Sequence, residues 1–359
     1  MREVKTQGNE YSRGFDGLER KENRCVSRVS FGNYIFYSPR FSRYNRRVIK
    51  GFGMSKSTIS TYQLFEMVPD AEAGRLWLES RLWPNGPRCP VCGLGDRITA
   101  RKGGYYRCRQ CKEDFTVRTG TVMERSHIPL HKWVYTMYLL VTARKGISSL
   151  QLAKEIGITQ KSAWFLLHRL REACGSKFEK LAGIIEIDET YVGGIEANKH
   201  KKKKLNAGRG AVGKTAVLGM RERDSGKVKA KPVANTDQET IHRAIHESIE
   251  VRSTLHTDEF AAYRGLAGLF FDHETINHGA GEFVRGDVTT NGIESVFAVF
   301  KRGILGVYHH ASPKHLGHYV DEFAFRLNEG NVKLHTLTRL NSFVAGTSGK
   351  RLTYKALIA

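Results

Sequence analysis

Two Cys-x-x-Cys knuckles, a purely helical stretch after them and a longer run of alternating strand and helix patterns predict a multidomain chain. The knuckles, around residues 85–120, and the helices, over 127–175, are each short enough to be a small module. The third pattern, from 183 to about 330, is long enough for a complete α/β domain with its own core.

The composition narrows the partners. The chain has 359 residues and a net charge of +22, with a sequence pI near 9.8. A chain this basic points to nucleic acid or an anionic membrane. No apolar run approaches the ~20 residues of a spanning helix, and no N-terminal segment has the order of a signal peptide. The expectation is a soluble, cytoplasmic, nucleoid-associated protein that meets DNA or RNA and no membrane; basicity for mere solubility is the competing reading. Of six cysteines, four fall in one constellation while Cys25 and Cys174 stand alone. That is the pattern of a metal site in a reducing compartment, not of a secreted disulfide framework.

Residues 1–53 are rich in Arg, Ser, Asn, Tyr and Gly, with little periodicity, and precede Met54-Ser55-Lys56, which reads like a natural start. They are expected to be a disordered tail or an over-extended reading frame, with a basic DNA-binding arm as the alternative. Twelve basic and five acidic residues lie there, so removing them still leaves +15. Residues 54–84 form a short helical lead-in, with Ala71-Glu72-Ala73 opening its second helix and the Trp83-Pro84-Asn85-Gly86 turn ending it.

Cys89-Pro-Val-Cys92 and Cys108-Arg-Gln-Cys111 are separated by 15 residues. Each knuckle offers two thiolates on a tight turn, and a hairpin with strands at Tyr105–Arg107 and Phe115–Val117 would bring the turns together. This spacing fits tetrahedral Zn²⁺ in a zinc ribbon. Four thiolates leave no open position, so the zinc would be structural; a redox pair or accidental spacing is the alternative.

Helices are expected from Pro129 to about Thr142, over Ser148–Ile156 and over Gln160–Glu172, with Gly157-Ile158-Thr159 as a tight turn between the last two. Helix, Gly-containing turn, helix is the helix-turn-helix pattern. Ala163, Phe165, Leu166, Leu167 and Leu170 would pack, leaving Gln160, Lys161, Trp164, His168 and Arg169 available to DNA. A helical bundle with no groove contact is the competing reading.

In the third region, strands are predicted at Gly183–Val192, Lys214–Arg221, Lys227–Val233, Val251–Thr257 and His273–Asn277. Helices are predicted at Thr240–Glu250, Ala261–Leu269 and Asn291–Arg302. Three strands, helix, strand, helix, strand, helix is the order of a ribonuclease-H-like α/β domain, whose first strand is central with the fourth beside it. Asp188 sits on the first strand after Ile184-Ile185-Glu186-Ile187, and Asp258 directly follows the fourth. On the last helix Ile293, Val296, Phe297, Phe300 and Ile304 recur at core spacing, while Asn291, Glu294, Ala298 and Lys301 share another stripe. A surface helix with an ordinary Glu and Lys is the other reading. Carboxylates in a chain that binds polyanions have a use if they hold cations, and two Mg²⁺ ions roughly 3.5–4 Å apart serve many phosphodiester-cutting enzymes.

Asn291-Gly-Ile-Glu294-Ser-Val-Phe-Ala-Val-Phe-Lys301-Arg302-Gly303-Ile-Leu-Gly306-Val-Tyr308-His309-His310 resembles the corresponding segment of bacterial insertion-sequence transposases of the zinc-ribbon, DDE type, relatives of the eukaryotic Merlin elements. Ile187–Gly194 is similar to their first catalytic strand, His256-Thr257-Asp258 with Tyr263 to the second, and Tyr319–Asn328 to their closing segment. The resemblance covers about residues 60–330, and residues 331–359 are expected to be a C-terminal tail. It implies a DNA transposase with Asp188, Asp258 and Glu294 as ligands of catalytic Mg²⁺ (or Mn²⁺), and structural Zn²⁺ on Cys89, Cys92, Cys108 and Cys111. Some members of the group carry Asn as third catalytic residue, so Asn291 stands beside Glu294, which an ion prefers for its anionic oxygen. Lys301 would place a terminal phosphate, His309 and His310 would either assist there or pack, and Arg302 would add a DNA contact. The implied partners are element terminal inverted repeats and target DNA, bound by a homodimer or higher assembly.

Lys199-His200-Lys201-Lys202-Lys203-Lys204 reads as a solvated loop or as a grip on DNA phosphates through Lys201, Lys202 and Lys203. Gly208-x-x-x-x-Gly213-Lys214-Thr215 formally matches a phosphate-binding loop, but Lys-rich sequence rather than a strand precedes it. The alternatives to a transposase are a zinc-ribbon and helix-turn-helix regulator with an inactive α/β domain, and a nuclease without strand transfer.

Overall fold

The computed structural model describes residues 58–175, 180–194, 200–205, 211–268 and 271–359. The expectations for residues 1–53 lie outside the described residues. Helices α1 (Thr61–Met67) and α2 (Ala71–Leu82) start on Ser60 and Asp70, whose side chains accept the free backbone N–H groups of Gln63 and Ala73. A small antiparallel sheet follows in the order β1 (Ile98–Ala100), β2 (Tyr106–Cys108), β3 (Asp114–Phe115). Its first strand was not foreseen, because three residues are too few to show periodicity. Its core is little more than Cys89, Cys108 and Phe115, walled by Trp83 and Tyr106.

Helices α3 (Leu130–Thr142), α4 (Ser149–Ile156) and α5 (Gln160–Cys174) match the predicted spans closely. Ser148 and Thr159 cap the last two, and Gly157 ends α4 at φ +62°, a conformation that a Cβ disfavours.

The third region forms β4 (Ile184–Val192), β5 (Thr215–Glu222), β6 (Val228–Val233), α6 (Gln238–Ser248), β7 (Ser253–Thr257), β8 (Phe271–Thr275), α7 (Asn291–Gly303) and α8 (Pro313–Leu327). The sheet order is β6-β5-β4-β7-β8. The first three strands pair antiparallel, while β7 and β8 run parallel to β4. The first strand therefore lies in the middle with the fourth beside it. The helix predicted at Ala261–Leu269 is a single 3₁₀ turn, Ala261–Tyr263. Gly265 and Gly268, at φ +79° and +148°, stop it from continuing.

The two faces of β4 pack separately, as strand alternation requires. Ile185 and Ile187 join Leu218, Met220 and Leu255 beneath Ile241 and Ile245 of α6. On the opposite face, Val192 and Val217 meet Ile293, Phe297 and Phe300 of α7, with Leu316, Val320 and Phe323 of α8 behind them. The approach is tightest at Gly219 of β5. A Cβ there would stand 2.5 Å from Phe297 Cζ and 2.9 Å from Ile293 Cδ1.

Residues 331–359, expected to be a tail, instead form α9 (Thr336–Ala345) and α10 (Tyr354–Ile358). Leu340, Phe343 and Val344 of α9 are fully buried in one core with Trp133, Met137, Leu166 and Leu170. The helical module is thus completed from the far end of the chain. A second tie is polar: Arg171 of α5 donates to Glu322 of α8 at 2.5 Å, and Arg326 and the Tyr308 hydroxyl donate to the same carboxylate.

Candidate active site

Parallel pairing brings the first two carboxylates to the same end of the sheet. Glu186 of β4 is in register with His256 of β7, and Asp188 and Asp258 each lie two residues further on. Asp188 pairs across β5 with Gly219, on the face covered by α7. Glu294 lies in the first turn of α7 and is exposed. Burial, then the neighbouring Glu189, push the Asp188 carboxyl up to about 7, and the charges of Asp258 and Glu294 add to this. Asp258 is raised chiefly by burial, against a hydrogen bond from the Phe260 N–H. Asp188 thus feels the negative charge of both other carboxylates. The oxygens of the three are not among the ligand sets that lie within 4.8 Å of one another among the described residues. The donor set, carboxylate oxygens without nitrogen or sulfur, suits a hard divalent cation.

Several residues that build this site escaped the sequence reading. Glu186, 2% exposed, accepts the Ile293 N–H at 2.9 Å and stands 3.6 and 3.3 Å from Arg221 and Arg223. It therefore anchors the start of α7, and with it Glu294. Its signal was present: a Glu amid Ile184-Ile185 and Ile187 needs a buried partner. Glu189 lies beside Asp188 and accepts from the Tyr263 hydroxyl at 2.6 Å; burial raises its carboxyl too. The Thr290 hydroxyl donates to Glu294 at 3.0 Å, and His278 Nε2 is 3.4 Å from the same oxygen. Glu259 holds the His278 loop by accepting the His278 and Gly279 N–H groups, each at 3.0 Å.

Asn291 is the first residue of α7 and is exposed, its backbone N–H bonded to Thr289. Lys301 and Arg302 are exposed in the last turn of the same helix. His309 and His310 are also exposed, and His309 lies at φ +59° with Nδ1 3.0 Å from the Leu305 carbonyl. Lys201 and Lys202 are exposed on a short 3₁₀ turn that also contains Lys203. Lys199 and Gly208 to Gly210 lie outside the described residues. Thr215 opens strand β5 rather than a helix, so the phosphate-loop lookalike lacks the helix N-terminus that such a loop requires.

On α5 the expected DNA face is reduced. Gln160 and Lys161 are exposed and Trp164 is half-buried. His168 and Arg169 are not available to DNA. His168 is fully buried among Trp164, His315, His318 and Tyr319. Arg169 is buried and donates to the Glu124 carbonyl. His168 is covered by α8, whereas Arg169 is taken up beside Glu124 with Trp133 and Phe165; helical periodicity within α5 reveals neither.

The four predicted cysteines converge: Cys89 and Cys111 are 3.5 Å apart at sulfur, and Cys92 and Cys108 3.6 Å. A tetrahedral ion with ~2.3 Å Zn–S bonds sets sulfurs about 3.8 Å apart, so the donor set fits. The Cys111 and Gln110 N–H groups help hold the Cys108 thiol down to about 7, favouring the thiolate that ligates.

Comparison with known proteins accords with this arrangement. Residues 69–114 match a transposase zinc-ribbon domain and residues 180–328 an ISXO2-like transposase domain. A protein of the transposable element ISH50 from Halobacterium salinarum, itself described as uncharacterized, is 30% identical over 273 residues, covering 72% of this chain and 91% of the relative. The chain belongs to the ISXO2-like transposase family. The ribbon match spans all four cysteines, which supports a structural zinc there. The larger match runs from just before β4 to the end of α8 and includes Asp188, Asp258, Asn291, Glu294 and Lys301. No helix among the described residues is long and apolar enough to cross a membrane.

Proposed function

We propose that this transposase cuts the ends of its element and joins them to target DNA through a ribonuclease-H-like domain, with Asp188, Asp258 and Glu294 holding divalent cations, Mg²⁺ or Mn²⁺. The observation that carries the reading is the setting of Asp188 on the central strand: burial and three neighbouring carboxylates hold it near 7, a state that a cation relieves. Bound there, such ions would supply Lewis-acid charge at the attacking and leaving oxygens of a phosphodiester. The attacking group is water at the nicking step and a DNA 3′-OH at the joining step.

The chain's own residues do the positioning. Glu186 fixes α7 so that Glu294 faces the aspartates. Thr290 and His278 orient the Glu294 carboxylate, and Tyr263 does the same for Glu189. Lys301 and Arg302, exposed two turns beyond Glu294, suit phosphate contacts; Asn291 is a further contact at the head of the helix. The α4–turn–α5 unit serves as a helix-turn-helix that reads element ends through Gln160 and Lys161, with Trp164 behind them. That matches a mode in which the first residues of the second helix meet the bases. Lys201, Lys202 and Lys203 add sequence-independent phosphate affinity. Joining two ends calls for at least a dimer on DNA. Kinship with bacterial elements and with Merlin rests on the 187–194, 256–263, 291–310 and 319–328 segments taken together.

The test is Mg²⁺-dependent cleavage and joining on DNA carrying the repeats that flank the gene, wild type against Asp258→Asn. Products from wild type alone support the proposal. DNA binding by both without products from either supports the regulator reading, and cleavage without joining supports a nuclease.

A further inference from the structure

A second cluster of metal-type ligands lies away from the carboxylates and the ribbon. His168 projects from α5, while His315 and His318, three residues apart, share one face of α8. One ligand atom from each lies within 4.8 Å of the others. The ring centroids are 5.0, 5.3 and 6.3 Å apart. Three imidazoles on one tetrahedral ion, with N–metal bonds of about 2.0–2.1 Å, place their centroids about 5.2 Å apart; the two His168 pairs match, and His315 and His318 would have to close by about 1 Å.

The second observation concerns His168 alone. It is fully buried, and neither ring nitrogen has a hydrogen-bond partner among the described residues. A neutral imidazole always carries one donor and one acceptor. Burying the acceptor unpaired is costly, and a metal ion is the partner that an acceptor nitrogen aimed at two other imidazoles would find. A third observation is the support behind the cluster. Glu172 Oε1 stands 3.4 Å from His318 Nδ1, the carboxylate–histidine arrangement that fixes a ligand's tautomer and leaves Nε2 free to bind metal. Trp164 and Tyr319 wall the site with aromatic edges. The nearby cation Arg171 is paired with Glu322, so its charge is offset; Lys314 also bears on His315.

We propose that His168, His315 and His318 bind one transition-metal ion of the zinc class, tethering α5 to α8. Three imidazoles without thiolate or clustered carboxylates select Zn²⁺, Co²⁺ or Ni²⁺ over Mg²⁺. Three protein ligands leave a fourth position for water. The ion fastens the helix that presents Gln160 and Lys161 to the helix that backs α7, so its role is structural coupling. The site does not depend on the catalytic reading.

The test is zinc content of the full-length protein, loaded with Zn²⁺ and dialysed against a weak chelator, for wild type, His315→Gln/His318→Gln and Asp188→Asn. The result expected is one ion fewer per chain in the double histidine variant than in wild type, with Asp188→Asn unchanged. Equal zinc in wild type and the histidine variant overturns the site. If the histidine variant fails to fold, zinc-edge X-ray absorption on the wild type decides: imidazole scattering beside that of the ribbon sulfurs supports the site, and a sulfur-only shell overturns it.

Discussion

Replacing Asp188 by Asn tests the central electrostatic claim without any DNA. The carboxyl is moved from its ordinary 3.8 to about 7, with burial the largest cause. Below pH 4 the group is neutral in both folded and unfolded chains and costs nothing. Between about 4 and 7 the unfolded chain ionises while the folded one keeps its proton, so stability falls as pH rises; above 7 the loss is complete. A shift of about three units corresponds to about 4 kcal/mol. Asn carries no such penalty. Asp188→Asn should therefore be more stable than wild type by about 4 kcal/mol at pH 8 and about 2 kcal/mol at pH 5. For a chain of this size the pH 8 difference is about 5 °C in Tm. The assay is urea and thermal denaturation in Mg²⁺-free buffer that leaves the ribbon zinc in place, followed by titration with Mg²⁺. Mg²⁺ should stabilise wild type, more at pH 8 than at pH 5 because protons compete for the same carboxylate, and should leave the variant nearly unmoved. A variant no more stable than wild type at pH 8, or equal stabilisation of both by Mg²⁺, refutes the reasoning.

Gly219→Ala places a methyl 2.5 Å from Phe297 Cζ; α7 must move off the sheet, at about 1–3 kcal/mol, and urea midpoints should fall together with cleavage because Glu294 rides on that helix. Glu322→Gln leaves Arg171 and Arg326 buried without a counter-charge; a loss of about 3–5 kcal/mol should appear in equilibrium unfolding. Cys111→Ser removes one of the four ribbon ligands; the ribbon core is too small to fold by burial alone, so protease cutting should become rapid between residues 85 and 117 and zinc content should drop.

The elements with strong periodicity were legible in the sequence. Helices α3, α4, α5 and α7 and strands β4 to β7 fall within a few residues of their predicted spans, because each carries its apolar pattern on one face or alternates it. The cysteine spacing located the ribbon ligands, since a shared ion constrains sequence distance directly. What failed was tertiary. Nothing within residues 331–359 says that Leu340, Phe343 and Val344 will complete a core begun at residue 59. Likewise α5 reads as having a free polar face, and only the arrival of α8 over His168 and of the Glu124 segment beside Arg169 shows that both are inside. In the site, the acidic residues were visible as misfits in a basic chain. Glu189, Thr290 and His278 were not, because their roles depend on which loops converge beyond the strand ends.

The same tertiary closure bears on how the chain would use DNA. Helix α5 has two ends with different company. Its N-terminal end, Gln160 and Lys161, faces outward, with Lys161 resting over the Tyr354 ring of α10. Its C-terminal end is fixed by the Arg171–Glu322 pair to α8, which packs against α7, the helix carrying Glu294. Tyr308 adds a further tie: it donates to Glu322 while pressing on Gly146, where a Cβ would clash with its hydroxyl. A flexible linker would let α5 and the carboxylates drift independently. Here a continuous chain of buried contacts joins them, so DNA held on α5 would meet the carboxylates from a defined direction. Loosening that chain should therefore reduce cleavage more than DNA binding. Tyr308→Phe, which removes only the hydroxyl donor to Glu322, is the mildest variant that probes it.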